Sequence, residues 1–320
     1  MWLTIRKQHC GALPSEAVPR QDILPPHLRI PEQTVRVAST RGVDLAVIDW
    51  GTDADAHLPI LYLSHATGLH AHCWTPMVKA LAGRFRCIAA DQRGQGDSTR
   101  PTVGTLSWDG VADDVEIAMG ALGLLGRTDV YGLGHSQGGF AVLEVERRRP
   151  GTFQSLFVFE PVVFPGPGAG GPDRTIQDNH MALGASKRRP VFPSWQDAAT
   201  NFSIKGPFAI SDPDLVSSYV YWGFSEQPDG TVRLKCDPAD EAQLFMHSLT
   251  DLWDAVDPIA APTTVAVSGH TNEVFAVNGP ILASRLRNGT LLNLPSRSHF
   301  GVFENIREMA DLITTALLEP

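Results

Sequence analysis

A serine held on a glycine-bounded bend between a strand and a helix constrains this chain more than any other stretch. Val130-Tyr131-Gly132-Leu133 reads as a short apolar strand, Gly134-His135-Ser136-Gln137-Gly138 is a G-x-S-x-G pattern, and Phe140 to Glu146 reads as a helix. A sharp strand-to-helix turn forces strained dihedrals on the serine, and a side chain at Gly134 or Gly138 would collide with the turn. The bend lifts the hydroxyl clear of the sheet and aims the first free N–H groups of the helix at whatever the serine attacks. Five residues alone are equally compatible with an idle serine, so the rest of the chain has to decide.

Taken in order, the chain alternates strands and helices. Met1 to Ile30 is proline-rich and without sustained periodicity, which predicts an N-terminal arm (1–33) lying over the domain or partly disordered. Thr34 to Ala38 and Val43 to Asp49 read as two antiparallel strands joined by a tight turn. Pro59 to Ser64, Arg86 to Ala90, Asp129 to Leu133 and Ser155 to Phe159 are continuous apolar runs, as expected of strands buried on both faces. Helices are expected over Cys73 to Ala82 and Trp108 to Leu122. Such alternation predicts a parallel sheet covered on both faces, whose ligands bind at the carboxyl ends of the strands. His65-Ala66-Thr67, Asp91-Gln92-Arg93, Ser136 and Glu160 then share one edge. Regularity breaks from residue 164 to 257, where a helical insertion is expected, and resumes with Thr263 to Ser268, Thr290 to Leu294 and a final amphipathic helix from Ile306 to Leu318.

Composition removes several classes. At 320 residues, 43% hydrophobic and 19% charged, the chain has material for one large domain with an insertion or for two small ones. A net charge of -9 argues against a nucleic-acid partner, because phosphate binding needs concentrated Lys and Arg. The one basic cluster, Lys187-Arg188-Arg189, reads as a solvated face rather than an anion site. Cys10, Cys73, Cys87 and Cys236 are scattered without metal-ligand spacing, which predicts free buried thiols. Arg6 and Lys7 come too early for a signal peptide and no run reaches membrane-spanning length, so a cytoplasmic location with no membrane partner is expected.

The motifs Gly134-His135-Ser136-Gln137-Gly138-Gly139, His65-Ala66-Thr67, Asp91 to Ser98 and Ser298-His299-Phe300 each follow a predicted strand. Together they resemble the α/β-hydrolase fold superfamily, in its serine-nucleophile form with a helical cap, from Thr34 onward. The resemblance implies a mostly parallel eight-stranded sheet, with a core at 34–163 and 258–320 and a cap at 164–257. It implies Ser136 as nucleophile and His299, among the eleven histidines, as its base. Two carboxylates compete to orient His299. Glu273, in the loop after the strand ending at Ser268, is preferred over Glu160, at the end of the strand after the nucleophile helix. Backbone N–H groups of Gln137 and Thr67 would form the oxyanion hole, although Ala66 stands where the family usually has glycine. His135 reads as packing or loop support, and Asp91 to Ser98 as a structural loop rather than a phosphate loop, since it lacks the lysine.

His70 and His72 lack a third ligand, so no metal is expected, and no cofactor either. His70, Trp74 and Trp222 are candidates for contact with a small-molecule substrate. The expected activity is hydrolysis of a small, largely apolar ester or lactone through an acyl-enzyme. The rivals are a cofactor-free C–C hydrolase, lyase or peroxidase-like enzyme on the same scaffold, and a ligand-binding protein that retains the fold with little catalysis.

Overall fold

A computed structural model describes residues 19–166, 175–247 and 251–320. Its elements in chain order are α1 (Arg20–Ile23), β1 (Gln33–Ala38), β2 (Asp44–Asp49), β3 (Ile60–Ser64), α2 (Thr75–Ala80), β4 (Arg86–Ala90), α3 (Trp108–Ala121), β5 (Val130–His135), α4 (Gln137–Arg148) and β6 (Leu156–Phe159). The inserted segment carries α5 (His180–Ser186), β7 (Val191–Phe192), α6 (Trp195–Ser203), α7 (Pro213–Gly223), β8 (Phe224–Glu226), β9 (Val232–Leu234) and α8 (Pro238–Met246). The chain then returns as β10 (Thr263–His270), α9 (Glu273–Arg285), β11 (Gly289–Ser298) and α10 (Ile306–Leu318).

Eight strands form one sheet in the order β1-β2-β4-β3-β5-β6-β10-β11. The pairs β1/β2 and β2/β4 are antiparallel and the remaining pairs parallel. The apolar runs are explained by burial on both faces. Along β3, Leu61 and Leu63 pack with Met77 of α2 and Met309 and Ile313 of α10, whereas Ile60 and Tyr62 pack on the opposite side with residues of α3 and α4. The apolar stripe of α10, Ile306, Met309, Ala310, Ile313 and Leu317, is buried as its spacing dictates.

The insertion differs from the purely helical one expected. Besides α5 to α8 it holds a second, antiparallel sheet in the order β7-β9-β8. Strands of two or three residues are too short to show an alternation in sequence, but Asp229-Gly230 does mark the β8–β9 turn, with Gly230 at φ +81. Helix α9 is an element to which the sequence reading assigns nothing.

Of the N-terminal arm, residues 1–18, with Cys10 among them, lie outside the described residues. From Pro19 the arm lies over the domain: Leu24 and Leu28 are buried, the Arg20 guanidinium sits 4.4 Å from the centre of the Tyr221 ring, and Glu32 accepts from the Trp50 indole N–H at 3.1 Å. Cys73, Cys87 and Cys236 are free and buried. Among the described residues no helix is long and apolar enough to cross a membrane.

The loop after β4 is tied internally. Asp91 accepts from the amides of Ala71 and Asp97, both at 2.7 Å, and Arg93 makes a two-pronged pair with Asp114 of α3, both N–O distances 2.7 Å. Arg93 and Asp114 are almost wholly excluded from solvent. Removing one partner leaves a buried charge uncompensated. Asp114→Asn is therefore expected to lower unfolding free energy by about 3–5 kcal/mol, measured by urea titration. A loss under about 1 kcal/mol would contradict this account of the loop.

Candidate active site

β5 ends at His135 and α4 begins at Gln137, which leaves Ser136 alone on the bend at φ 54, ψ -115. A Cβ built on Gly134 would lie 2.5 Å from the carbonyl oxygen of Gly138, and one on Gly138 only 2.0 Å from that of Ser64. The two glycines are thus a steric requirement of the turn. Ser136 is partly exposed, and its amide is fixed by a 3.0 Å hydrogen bond to the Phe159 carbonyl of β6.

His299 lies in the turn after β11, half-buried beside this bend. The ring Nε2–H of His135 donates to the His299 carbonyl at 2.8 Å, and the two rings are 4.9 Å apart. His135 supports the loop, and burial first of all pushes its pKa well below that of an ordinary histidine, so it stays neutral. Glu304, after the turn, accepts from the backbone amide of Ser298 at 3.1 Å and from its hydroxyl, clipping the loop that carries the histidine.

The carboxylate on His299 is Glu160, which accepts from Nδ1 at 2.6 Å. This corrects the preference for Glu273. Glu273 is exposed at the start of α9, where Asn272 caps the helix by accepting from the Phe275 amide at 3.2 Å. Glu160 follows directly after β6 at φ 43 and is 1% exposed. Its Oε1 accepts from the Ser268 amide at 2.9 Å and from the Ser268 hydroxyl, and its Oε2 accepts from the Thr271 hydroxyl at 2.9 Å as well as from His299. Burial raises the pKa of Glu160, but His299 and the Ser268 donors outweigh it and hold the carboxyl below the usual range. Glu160 occupies Nδ1 of the imidazole, which leaves Nε2 as the nitrogen that can serve Ser136.

Gln137 is the first residue of α4, so its backbone N–H has no partner within the helix. Thr67 lies in the loop after β3. Among the described non-glycine residues only Arg41, Ser136, Glu160 and Asn305 have positive φ, so Ala66 needs no glycine-like conformation. His65 braces that loop: its Nε2 accepts from the Gln92 amide at 3.0 Å while Nδ1–H donates to the Ala66 carbonyl at 2.9 Å.

The three residues expected to touch substrate lie around the turn at residues 70–74 and the part of α7 that faces it. His70 donates through Nε2–H to the Tyr219 carbonyl at 3.1 Å and stacks on the Tyr219 ring. Trp74 is fully buried, with its ring 4.9 Å from Phe303. Trp222 stacks on His72 at 4.4 Å and, with Tyr221, belongs to the seam between α7 and the N-terminal arm. Besides His135, the rings that approach His299 are Phe275, stacked at 4.7 Å, and Phe300 at 6.3 Å. Phe300 is followed by Phe208 and Phe208 by Tyr219, with centroids 5.3 and 4.7 Å apart. Phe208 and Tyr219 stand out in sequence only as aromatic residues of the insertion, a signal that core packing gives equally well. The basic cluster divides. Lys187 and Arg189 are exposed, whereas Arg188 turns inward to Glu241 and to the Tyr219 hydroxyl at 2.5 Å.

A strained serine at the strand-to-helix bend, a histidine after the last strand and a buried carboxylate define the α/β-hydrolase class of fold and site. Residues 61–312 match the alpha/beta hydrolase family, and the chain belongs to it. A protein of Mesorhizobium japonicum named 2-(acetamidomethylene)succinate hydrolase is 27% identical over 266 residues, covering 82% of this chain and 88% of that one. A protein of Agrobacterium fabrum, named as the carbamate hydrolase RutD, is 34% identical over 104 residues, but these span only 32% of this chain and 38% of that protein. The crystal structure of E-2-(acetamidomethylene)succinate hydrolase superposes with a TM-score of 0.72 at 20% identity, covering 91% of this chain and all of that one, a likeness of fold.

Two outcomes are expected if Glu160 orients the imidazole. Glu160→Ala should lower kcat on p-nitrophenyl acetate by about 10³–10⁴, while Glu273→Ala stays within about twofold; the reverse pattern would restore Glu273. Because the folded pKa of Glu160 lies below its unfolded value of about 4.3, its ionised form contributes stability above that pH. That contribution disappears as pH falls through the folded value. The stability gap between wild type and Glu160→Gln, read by urea unfolding, should be flat above about pH 5 and narrow toward pH 3.

Proposed function

We propose that the chain is a serine hydrolase of small carbonyl compounds, with Ser136 as nucleophile, His299 as base and Glu160 as orienting acid. The observation that carries the reading is the 2.6 Å contact from Glu160 to His299 Nδ1 beside a serine held at φ 54. A serine hydroxyl is a weak nucleophile until a base removes its proton as it attacks. In this reading His299 Nε2 takes that proton and Glu160 stabilises the imidazolium that results. Charge on the carbonyl oxygen is met by the N–H groups of Gln137 and Thr67. The imidazolium then protonates the leaving group. A water enters, gives its proton to His299, and attacks the acyl-enzyme to release the acid and restore Ser136.

The substrate reading is a small ester or lactone, seated against the rings of Phe208, Phe275 and Phe300 near His299. The names of the two relatives support adding nitrogen-bearing carbonyls to the class, since one is named for a carbamate and the other for an acetamido compound. Acyl transfer through serine serves all of these, because the tetrahedral oxyanion is common to them and they differ in the leaving group.

A fluorophosphonate probe is expected to label wild-type protein at Ser136 and to leave Ser136→Ala unlabelled. Turnover of p-nitrophenyl acetate and butyrate should fall by about 10⁴ or more in that variant. A folded wild type that neither takes the probe nor turns over either ester would favour a ligand-binding role on the same scaffold.

A further inference from the structure

The loop that offers the Thr67 N–H is covered by a charge. Arg188, in the turn after α5, and Glu241, in α8, both reach residue 68: a Cβ built on Gly68 would lie 3.2 Å from Arg188 Nη1 and 2.5 Å from Glu241 Oε1. Gly68 sits at φ +79 with its amide donating to Gln95 Oε1 at 2.6 Å. Only glycine permits both that backbone and so close an approach. A guanidinium therefore rests one residue from a proposed oxyanion donor.

Its bonding is incomplete. Arg188 Nη1 donates to Glu241 Oε2 and Nη2 to the Tyr219 hydroxyl at 2.5 Å, and the guanidinium carbon lies 5.7 Å from the centre of the Phe202 ring. A guanidinium carries five N–H donors in a planar fork. Glu241 engages one nitrogen where a closed pair would engage two. The Arg188 side chain is 22% exposed, and none of its nitrogens is among the buried side-chain atoms that lack a partner in the described residues, so the unused donors of the fork remain accessible. Glu241 and Tyr219 hold the group in a fixed orientation, which reduces the entropy lost when a ligand docks. Tyr219 also links Arg188, through Phe208 and Phe300, to His299.

We propose that Arg188, braced by Glu241 and Tyr219, is a specificity residue that receives a carboxylate on the acyl side of the substrate, so that the preferred substrates are anionic rather than wholly apolar. This inference rests on the serine-hydrolase reading and sharpens its substrate class. In this reading a carboxylate at the end of a short acyl chain, as in a hemisuccinate ester, meets the free part of the fork while the carbonyl oxygen lies at the Thr67 and Gln137 N–H groups. Charge-assisted bonds to guanidinium are the stronger kind and favour planar carboxylates. An apolar acyl chain of equal length leaves those donors unpaired in a mostly buried place, so discrimination works in both directions.

The test compares p-nitrophenyl hemisuccinate with p-nitrophenyl butyrate on wild type, Arg188→Met and Arg188→Lys, with near-UV circular dichroism to confirm folding. Wild type is expected to favour hemisuccinate by about tenfold or more in kcat/KM, chiefly through KM. Arg188→Met should bring the ratio to within about twofold, and Arg188→Lys should keep part of it. In parallel, succinate should raise the melting temperature of Ser136→Ala and not of the Ser136→Ala, Arg188→Met double variant. Equal losses on both esters in Arg188→Met, or no preference in wild type together with no succinate shift, would overturn the proposal and leave Arg188 as a clamp. If Arg188→Met does not fold, Arg188→Lys takes its place in both arms: a hemisuccinate preference and a succinate shift that are undiminished in Arg188→Lys and in Ser136→Ala, Arg188→Lys would overturn the proposal, and a partial loss of both would support it. An Arg188-dependent succinate shift without turnover of any ester would sink the hydrolase reading and keep the carboxylate site. Turnover of butyrate without any response to carboxylate would do the opposite.

Discussion

The contact between a buried carboxylate and the Nδ1 of His299 sets the terms for everything around it. An ionised carboxylate 1% exposed is costly unless its lone pairs are met, and the four donors on Glu160 meet them. Those donors come from the end of β10, from the turn beyond it and from the turn after β11. The His299 ring is thereby oriented by a carboxylate from the end of β6 that is itself held by groups at the end of β10. The register shift of β10 against β11 between Ser268 and His270 lies at this point, where the ladder gives way to the carboxylate.

The same region stores strain. Ser136 and Glu160 are both non-glycine residues at positive φ, each at the end of a parallel strand, and such positions cost on the order of 1–3 kcal/mol. They persist because neighbouring strands fix them. The Ser136 amide bonds to the Phe159 carbonyl at 3.0 Å, the Glu160 amide to the Ala266 carbonyl at 2.9 Å, and the Val162 amide to the Ser136 carbonyl at 3.2 Å. β5, β6 and β10 thus hold Ser136 and Glu160 in one ladder, and a displacement of either would break bonds belonging to the other.

The features legible in the sequence were those with a strong local signature. Continuous apolar runs gave the buried strands, the spacing of Ile306, Met309 and Ile313 gave the last helix, and glycines at 134 and 138 gave the bend, because steric exclusion there leaves no other residue. The acid was not legible in the same way. Glu160 and Glu273 both follow strands that end at the same edge, and the resemblance favours Glu273 because the acid usually follows the later strand. The deciding facts are three-dimensional: Asn272 caps a helix and places Glu273 outward, while Ser268 and Thr271 turn inward as donors. The position after β10 keeps its part in the site by supplying hydroxyl groups to a carboxylate that comes from β6. Trp222 is ambiguous for a related reason, since a large aromatic residue in an insertion serves a seam with the arm as readily as contact with a ligand.

Arg188 shows the same limit at the level of charge. Three consecutive basic residues read as a solvated face, and for Lys187 and Arg189 exposure agrees with that. The middle residue differs because Glu241, 53 positions later, and Tyr219 lie within its reach, and because residue 68 has no side chain to keep it away. Its burial is compensated by a partner that sequence proximity cannot reveal. The insertion does more than cover the strand ends. It brings one guanidinium, held by Glu241 and Tyr219, against residue 68 in the loop after β3.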